Sequence, residues 1–260
     1  MALTKIGKEG ITGISNSSDA NAITIDSSER VGIGTSSPSS FFSGASQLVV
    51  GSGSSDQGMT IYSGTADNAQ IFFADGTSGA DAYRGILRYI HGDNAMTFYT
   101  DGANERMRID SAGHVTMPYQ SAFLARCGSG DNDNIPINAG TTISFTTEVF
   151  DQNSDFNLST NVFTAPVTGK YQLNMSLLLG NGDTATDYIQ AEIQASNRSF
   201  YWIIDPDNWD QDGVYFAATT VGLMDMDAND TAKIVVYMSN TGAAQMDTLN
   251  YCYFSGYLVA

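Results

Sequence analysis

The densest collection of oxygen donors in the sequence is Asp205-Pro206-Asp207-Asn208-Trp209-Asp210-Gln211-Asp212-Gly213. Closely spaced carboxylates suit a hard cation such as Ca2+, which takes about six to eight oxygens, and Asp205, Asp207 and Asp210 are the candidate ligands. The spacing is not that of an EF-hand. Asp and Asn serve equally as solvated turn residues, because their side chains bond their own backbone. Trp209 adds a second capability, since an exposed indole can stack on a sugar face while Asp207, Asn208, Asp210 and Asp212 bind hydroxyl groups; these five are the candidate receptor-binding residues. Asp131-Asn132-Asp133-Asn134 and Asp225-Met226-Asp227-Ala228-Asn229-Asp230 repeat the acidic texture without the ring.

Groups that turn over a substrate are scarce. His91 and His114 are the only histidines, and both sit in turn-rich segments that offer no tuned base. There is no Gly-x-Ser-x-Gly, His-Glu-x-x-His or Gly-rich phosphate loop with its lysine. Val31-Gly32-Ile33-Gly34 lacks the strand-helix-strand setting in which such glycines serve a nucleotide. The chemistry therefore points to binding without catalysis, and no catalytic residue is assigned.

A net charge of -17, with eleven Lys and Arg scattered along the chain, opposes phosphate backbones and argues against nucleic acid as a ligand. No run approaches the ~20 apolar residues of a membrane span, and Met1 to Gly10 lacks the apolar stretch of a secretory leader, so neither membrane insertion nor Sec-type export is expected. Without export, Asn197-Arg198-Ser199 is a chance glycosylation triplet. Two cysteines, Cys127 and Cys252, are too few for a disulfide framework and have no His partner for a metal knuckle.

The elements that must position these groups are strands. Short apolar runs separated by Gly, Ser, Asp and Asn mark an all-β chain. Ile23 to Thr35 and Met107 to Met117 share a theme of strand, Asp-Ser turn and strand, a hairpin signature in which Asp accepts local backbone bonds. A lone hairpin cannot bury its apolar side, so each needs a neighbour or another copy of the chain. Between them Gln47–Val50, Met59–Tyr62, Gln70–Phe73, Gly85–Ile90 and Ala95–Tyr99 follow the rhythm of an antiparallel meander. From about Pro118 the alternation sharpens. Tyr171, Leu173, Met175, Leu177 and Leu179 alternate with polar residues, as do Ile189, Ala191, Ile193 and Ala195, and then Ala232, Ile234, Val236 and Met238. Three such faces, at about 1.5 to 3 kcal/mol per large buried side chain, justify an independent sandwich core. The predicted organisation is an attachment or shaft segment over 1–40, a β-rich knob or shaft domain over 41–117 and a sandwich over 118–260.

Two motifs in the sandwich region resemble a known family. Asn161-Val162-Phe163-Thr164-Ala165-Pro166-Val167-Thr168-Gly169-Lys170-Tyr171, read with the closing Tyr253-Phe254-Ser255-Gly256-Tyr257-Leu258, is similar to the globular head of the complement C1q family. That resemblance covers roughly the last 140 residues and implies a tumour-necrosis-factor-like jelly roll that works as a homotrimer. Cys127 and Cys252 then fall on the first and last strands, neighbours in such a jelly roll; pairing them would also oppose Ala122 to Tyr257. They are either a cross-strand disulfide or two small core residues. The resemblance places the first strand, with Phe123, and the last at the subunit contact. On the last strand Tyr251, Tyr253 and Tyr257 share one side, to be covered either by a trimer axis or by a loop of the same chain. The chain has no Gly-X-Y stalk, so only the trimeric head carries over, not the immune roles of complement.

The first half, with Val-Gly-Ile-Gly-Thr-Ser-x-Pro at Val31 to Pro38, His91-Gly92-Asp93-Asn94 and Ile109-Asp110-Ser111-Ala112-Gly113-His114-Val115, is similar in texture to bacteriophage tail fibres and related virion fibres. The expectation is a homotrimeric phage virion fibre. It attaches to other virion components through its N-terminal region, recognises a host surface glycan or protein through its head, and is assembled in the host cytoplasm onto the particle. A purely structural head fibre or decoration protein, a surface-polysaccharide depolymerase and a bacterial adhesin are the rival readings.

Overall fold

The computed structural model describes residues 23–128, 132–239 and 245–260. The predicted attachment segment lies outside the described residues as far as residue 22, as does Asp131 of the Asp131–Asn134 cluster. Two compact units divide the chain, 1–70 and 71–260.

In the first unit β1 (Ile23–Ile25) and β2 (Val31–Ile33) form the predicted hairpin. Asp26 organises its turn, Oδ1 accepting the N–H groups of Ser28 at 2.8 Å and Arg30 at 3.2 Å while Oδ2 accepts from Arg30 Nε at 2.7 Å. The same device recurs at Asp110, which accepts from Ala112 N and His114 N at 2.9 Å each and meets His114 Nδ1 at 2.9 Å. The residue before the donor four positions on, Arg30 or His114, is left-handed in both copies, φ 61° at Glu29 and 87° at Gly113. One turn has been built twice, with Arg or His as the clasp.

Two strand expectations change here. β3 (Leu48–Val50) pairs parallel to β2 rather than continuing a meander, since a dozen and more residues intervene and let the chain cross over before pairing. Met59–Tyr62 has no strand partner among the described residues, and its side chains stand in solvent.

A true meander runs through β4 (Asn68–Phe73), β5 (Gly85–Ile90), β6 (Ala95–Thr100), β7 (Asn104–Ile109) and β8 (Val115–Thr116), each hydrogen-bonded to the next. Arginines predicted to be scattered gather on it. Arg84 pairs with Asp75, Asp81 and Asp101, Arg108 with Glu105 and Asp93, and Arg88 and Arg106 lie over the rings of Tyr99 and Tyr119. Their charge is met locally. The link from β8 into the next strand is pinned: Gln152 Nε2 donates to Met117 O and Gln120 O at 2.7 and 2.8 Å, and Asn153 Nδ2 to Tyr119 O at 2.8 Å.

The remainder is a jelly roll. Its strands are β9 (Ala122–Arg126), β10 (Thr141–Thr142), β11 (Thr147–Asp151), β12 (Phe156–Asn157), β13 (Val162–Thr164) and β14 (Gly169–Gly182). They continue through β15 (Tyr188–Ala195), β16 (Ser199–Ile204), β17 (Gly213–Met226), β18 (Thr231–Ser239), β19 (Asp247–Thr248) and β20 (Tyr253–Leu258). One sheet has the order β11-β9-β20-β14-β17 and the other β12-β13-β18-β15-β16. All three predicted alternating faces turn inward: Tyr171 to Leu179 from the first sheet meets Ile189 to Ala195 and Ala232 to Met238 from the second. A ring cluster closes one end of the core, with Phe123 stacked on Phe163 and Phe156 at 4.8 and 5.1 Å and edge-on to Phe254 at 5.0 Å. Such pairs add about 0.5 to 1.5 kcal/mol each beyond their burial.

Phe123 is therefore not at a subunit contact. It is 1% exposed within its own chain, because in β9 it takes the inward parity; its neighbour Leu124 takes the outward one. Cys127 and Cys252 are both buried and are not joined by a disulfide. The register Ala122↔Tyr257 to Arg126↔Tyr253 is the predicted one and makes the two cysteines face each other.

Candidate functional site

Two surfaces of the jelly roll offer themselves for recognition. The first is the loop end built by β14, β16 and β17. Ile204 ends β16, and Pro206 supplies the fixed φ that starts a single 3-10 turn over Pro206–Asn208. Asn208 N–H and Trp209 N–H close it on Asp205 O and Pro206 O at 3.3 and 2.9 Å. Asn208 Nδ2 donates to Asp207 Oδ1 at 2.7 Å.

Trp209 is half-buried rather than fully displayed. Its indole lies edge-on to Phe216 at 5.4 Å and fills the space that a Cβ at Gly182 or Gly213 would need, 2.8 and 2.7 Å away. Those two glycines sit opposite each other on β14 and β17, so the absent side chains make the seat for the ring. The indole anchors the loop to the sheet end.

Asp212 is also engaged. Its Oδ1 accepts from Thr184 N at 2.9 Å and Thr184 Oγ1 at 2.8 Å, and the backbone bond from Thr184 holds its carboxyl below the usual carboxylate range. Beside it a cavity of about 290 Å³ is lined by Asn181, Gly182, Asp183, Asp212, Gly213 and Val214. Asn181 Nδ2 in turn donates to Asp247 Oδ2 at 2.6 Å, and Asp247 Oδ1 accepts from Asn134 N at 2.7 Å. Loops far apart in sequence thus meet at one acidic rim.

The proposed Ca2+ ligands do not form a set. Asp205, Asp207 and Asp210 are each exposed, and among the described residues no three His, Cys, Asp or Glu side chains converge as a metal would require. A 3-10 turn advances only about three residues per turn and leaves these carboxylates to solvent and, at Asp207, to a neighbouring amide. Of the five predicted receptor contacts, Asp207, Asn208 and Asp210 are exposed on the rim, the first two hydrogen-bonded to each other, while Trp209 and Asp212 support it. Asn181, Asp183 and Asp247 were missed, because only the return of β14 and β19 to this end brings them here.

The second surface is the outward side of the five-stranded sheet. Pairing lays out its rows: Ala122, Tyr257, Gln172 and Leu223 in one, Phe150, Leu124, Ser255, Asn174 and Val221 in the next, and Arg126, Tyr253, Ser176 and Thr219 in the third. A polar ridge runs down the middle, with Asn174 Nδ2 donating to Ser255 Oγ and Tyr257 OH to Gln172 Oε1 at 3.2 and 3.1 Å. Apolar flanks lie on both sides, among them Phe150, Val221 and Leu223, all exposed. Tyr251, Tyr253 and Tyr257 are 62, 36 and 44% exposed. Among the described residues no loop of the same chain buries them.

The family model for the C1q domain matches residues 122–259, more than half of the chain. Among solved structures, the globular domain of zebrafish complement 1qA protein is 18% identical, covering 54% of this chain and 98% of that one at a TM-score of 0.42. Murine APRIL at pH 8.0 is 12% identical over 54% of this chain and 99% of that one, with a TM-score of 0.40. No curated protein sequence matches the chain. With both motifs, the jelly-roll strand order and the matched residues in agreement, the chain belongs to the C1q family, its C1q domain spanning residues 122–259.

Proposed function

We propose that this chain is the homotrimeric fibre of a bacteriophage virion, whose C1q-type head recognises a host surface receptor, a glycan in the first instance, without catalysis. The observation that carries the trimer is the open outward side of the five-stranded sheet. Soluble monomers rarely leave a contiguous aromatic and aliphatic patch uncovered, and Phe150, Val221, Leu223, Tyr253 and Tyr257 are all exposed on this side. The virion assignment rests on the fibre-like texture of the first half. Three heads on one axis present three copies of the acidic rim, so a feeble single site still holds through avidity. The N-terminal region joins the remaining virion components, and the particle surface is its place of action.

Light scattering of the full chain should give three times the chain mass, and Leu124→Glu should lower it. A stable wild-type monomer would defeat the reading. Recognition is tested on the rim: Asp207→Lys and Asp210→Lys, on exposed side chains, should lower adsorption to host cells or to a panel of bacterial surface glycans while the trimer survives. Trp209→Ala should do so with some loss of head stability. The inward packing of Trp209 favours one alternative, a structural head fibre or decoration protein without a receptor; unchanged adsorption in both rim variants would select it.

A further inference from the structure

The described part of the first unit has almost no core of its own. Among its described large apolar side chains only Val49 is buried, while Ile23, Ile25, Ile33, Phe41, Phe42, Leu48, Val50, Met59, Ile61 and Tyr62 are exposed. The exposure is organised. Register places Ile23, Ile33 and Val50 in one row across β1, β2 and β3, and Ile25, Val31 and Leu48 in the next. Thr24, Gly32 and Val49 take the opposite side by parity. One face of a three-stranded sheet is thus six aliphatic side chains, of which five are between 41 and 70% exposed.

Such a sheet needs a second layer, because three short strands with an uncovered apolar face are marginal in water. The face carries no charged group; of the charges in the nearby turn, Asp26 and Arg30 are paired with each other at 2.7 Å and Glu29 stands exposed to solvent. A chain of net charge -17 meets its own copies most readily where charge is absent. From these exposures the face presents on the order of 500 Å² per chain, the scale at which an exposed patch marks an interaction site. That is less than the about 800 Å² per partner of a standard stable interface, so the face cannot hold free chains together alone. Chains already joined elsewhere meet at a millimolar effective concentration, where a face of this size suffices.

We infer that the β1-β2-β3 face is a second self-association surface, covered by the same face of the other copies of this chain and ordered only once the heads have assembled. The inference rests on the trimeric reading above. It adds that residues 23–50 fold as part of the assembly, the first unit serving as a shaft whose core is made between chains.

Hydrogen exchange of residues 23–50 in the full chain, read beside mass by light scattering, tests it. In the wild-type trimer these amides should be protected. Ile25→Asp should speed their exchange at least tenfold with the threefold mass unchanged, and Ile25→Val should restore protection. Equal protection in wild type and Ile25→Asp would overturn the inference. Deleting residues 1–22 should leave protection intact; its loss with the mass retained would show that this segment covers the face, and would overturn it too. A wild-type monomer sinks the trimeric reading by mass alone, and whether its residues 23–50 are protected or not, no intermolecular face is left to propose.

Discussion

Cys127 and Cys252 stand opposite each other at the ends of β9 and β20, with Cys127 N–H donating to Cys252 O at 3.0 Å, and neither is oxidised. Cys127 Sγ donates to Ser144 O at 3.2 Å and Cys252 Sγ to Leu178 O at 3.4 Å, so each thiol has a carbonyl of its own. Their contact draws the Cys252 thiol below its ordinary value, yet burial keeps reagent out. A thiol-specific chromogenic reagent should find no reactive group in the native protein and two per chain after denaturation without reductant. None in either state would mean that the pair is bonded.

Gly256 on β20 lies opposite Phe123 of β9 and Leu173 of β14. A Cβ there would collide with Leu173 and lie 2.9 Å from Phe123, both fully buried. Gly256→Ala should destabilise the head by about 1 to 3 kcal/mol through overpacking, measured by denaturant unfolding. A neutral result would show that the aromatic cluster is looser than its ring distances indicate.

The hydroxyl of Tyr171 is the polar end of an otherwise apolar core residue, donating to Val167 O at 2.8 Å. Tyr171→Phe removes that bond and the longer one, 3.4 Å, that Val167 N–H donates to the hydroxyl, a loss of about 1 kcal/mol. Equilibrium unfolding of the two proteins under one buffer gives the difference directly.

Asp155 contributes to the head a stability that is present in acid and lost as its carboxyl ionises. Burial pushes its carboxyl above the ordinary value; the nearby Ser121 hydroxyl opposes the shift and the neighbouring Asp151 charge adds to it. A carboxyl with a raised folded-state value favours the protonated form, so its stabilisation is full below the unfolded carboxylate value and is lost as pH rises through the folded one. Asp155→Asn should therefore raise the melting temperature at pH 7 relative to wild type, with the gap closing toward pH 4. A gap that widens on acidification would reverse the sign of the argument.

The strand pattern was open to reading because period-two alternation is a local property: Tyr171 to Leu179 and Ile189 to Ala195 declare one apolar face whatever they pack against. Asp26 and Asp110 likewise announce their turns, since the bonds they accept run only to residues two and four further on. The pairing of Cys127 with Cys252 came from family resemblance, not from spacing. The placing of Phe123 at a subunit contact differs from its burial in the core, because Ala122 to Leu124 is apolar on both sides of the strand and only the facing sheet decides which parity turns inward.

The candidate rim shows the same division. Composition marked the Asp205–Gly213 loop as a place for binding, because carboxylates and an indole in a turn are conspicuous in any order. Composition alone could not show that Gly182 and Gly213 would seat the ring of Trp209, that Thr184 would occupy Asp212, or that Asn181 and Asp247 would complete the edge. Those relations join residues that are distant in the chain, and they exist only once β14, β17 and β19 have returned to the same end of the sandwich. The chain by itself determined that it would be all-β, with a C1q-type head at its C-terminal side; the folded sheets decided which side chains are spent on the core and which remain for a partner.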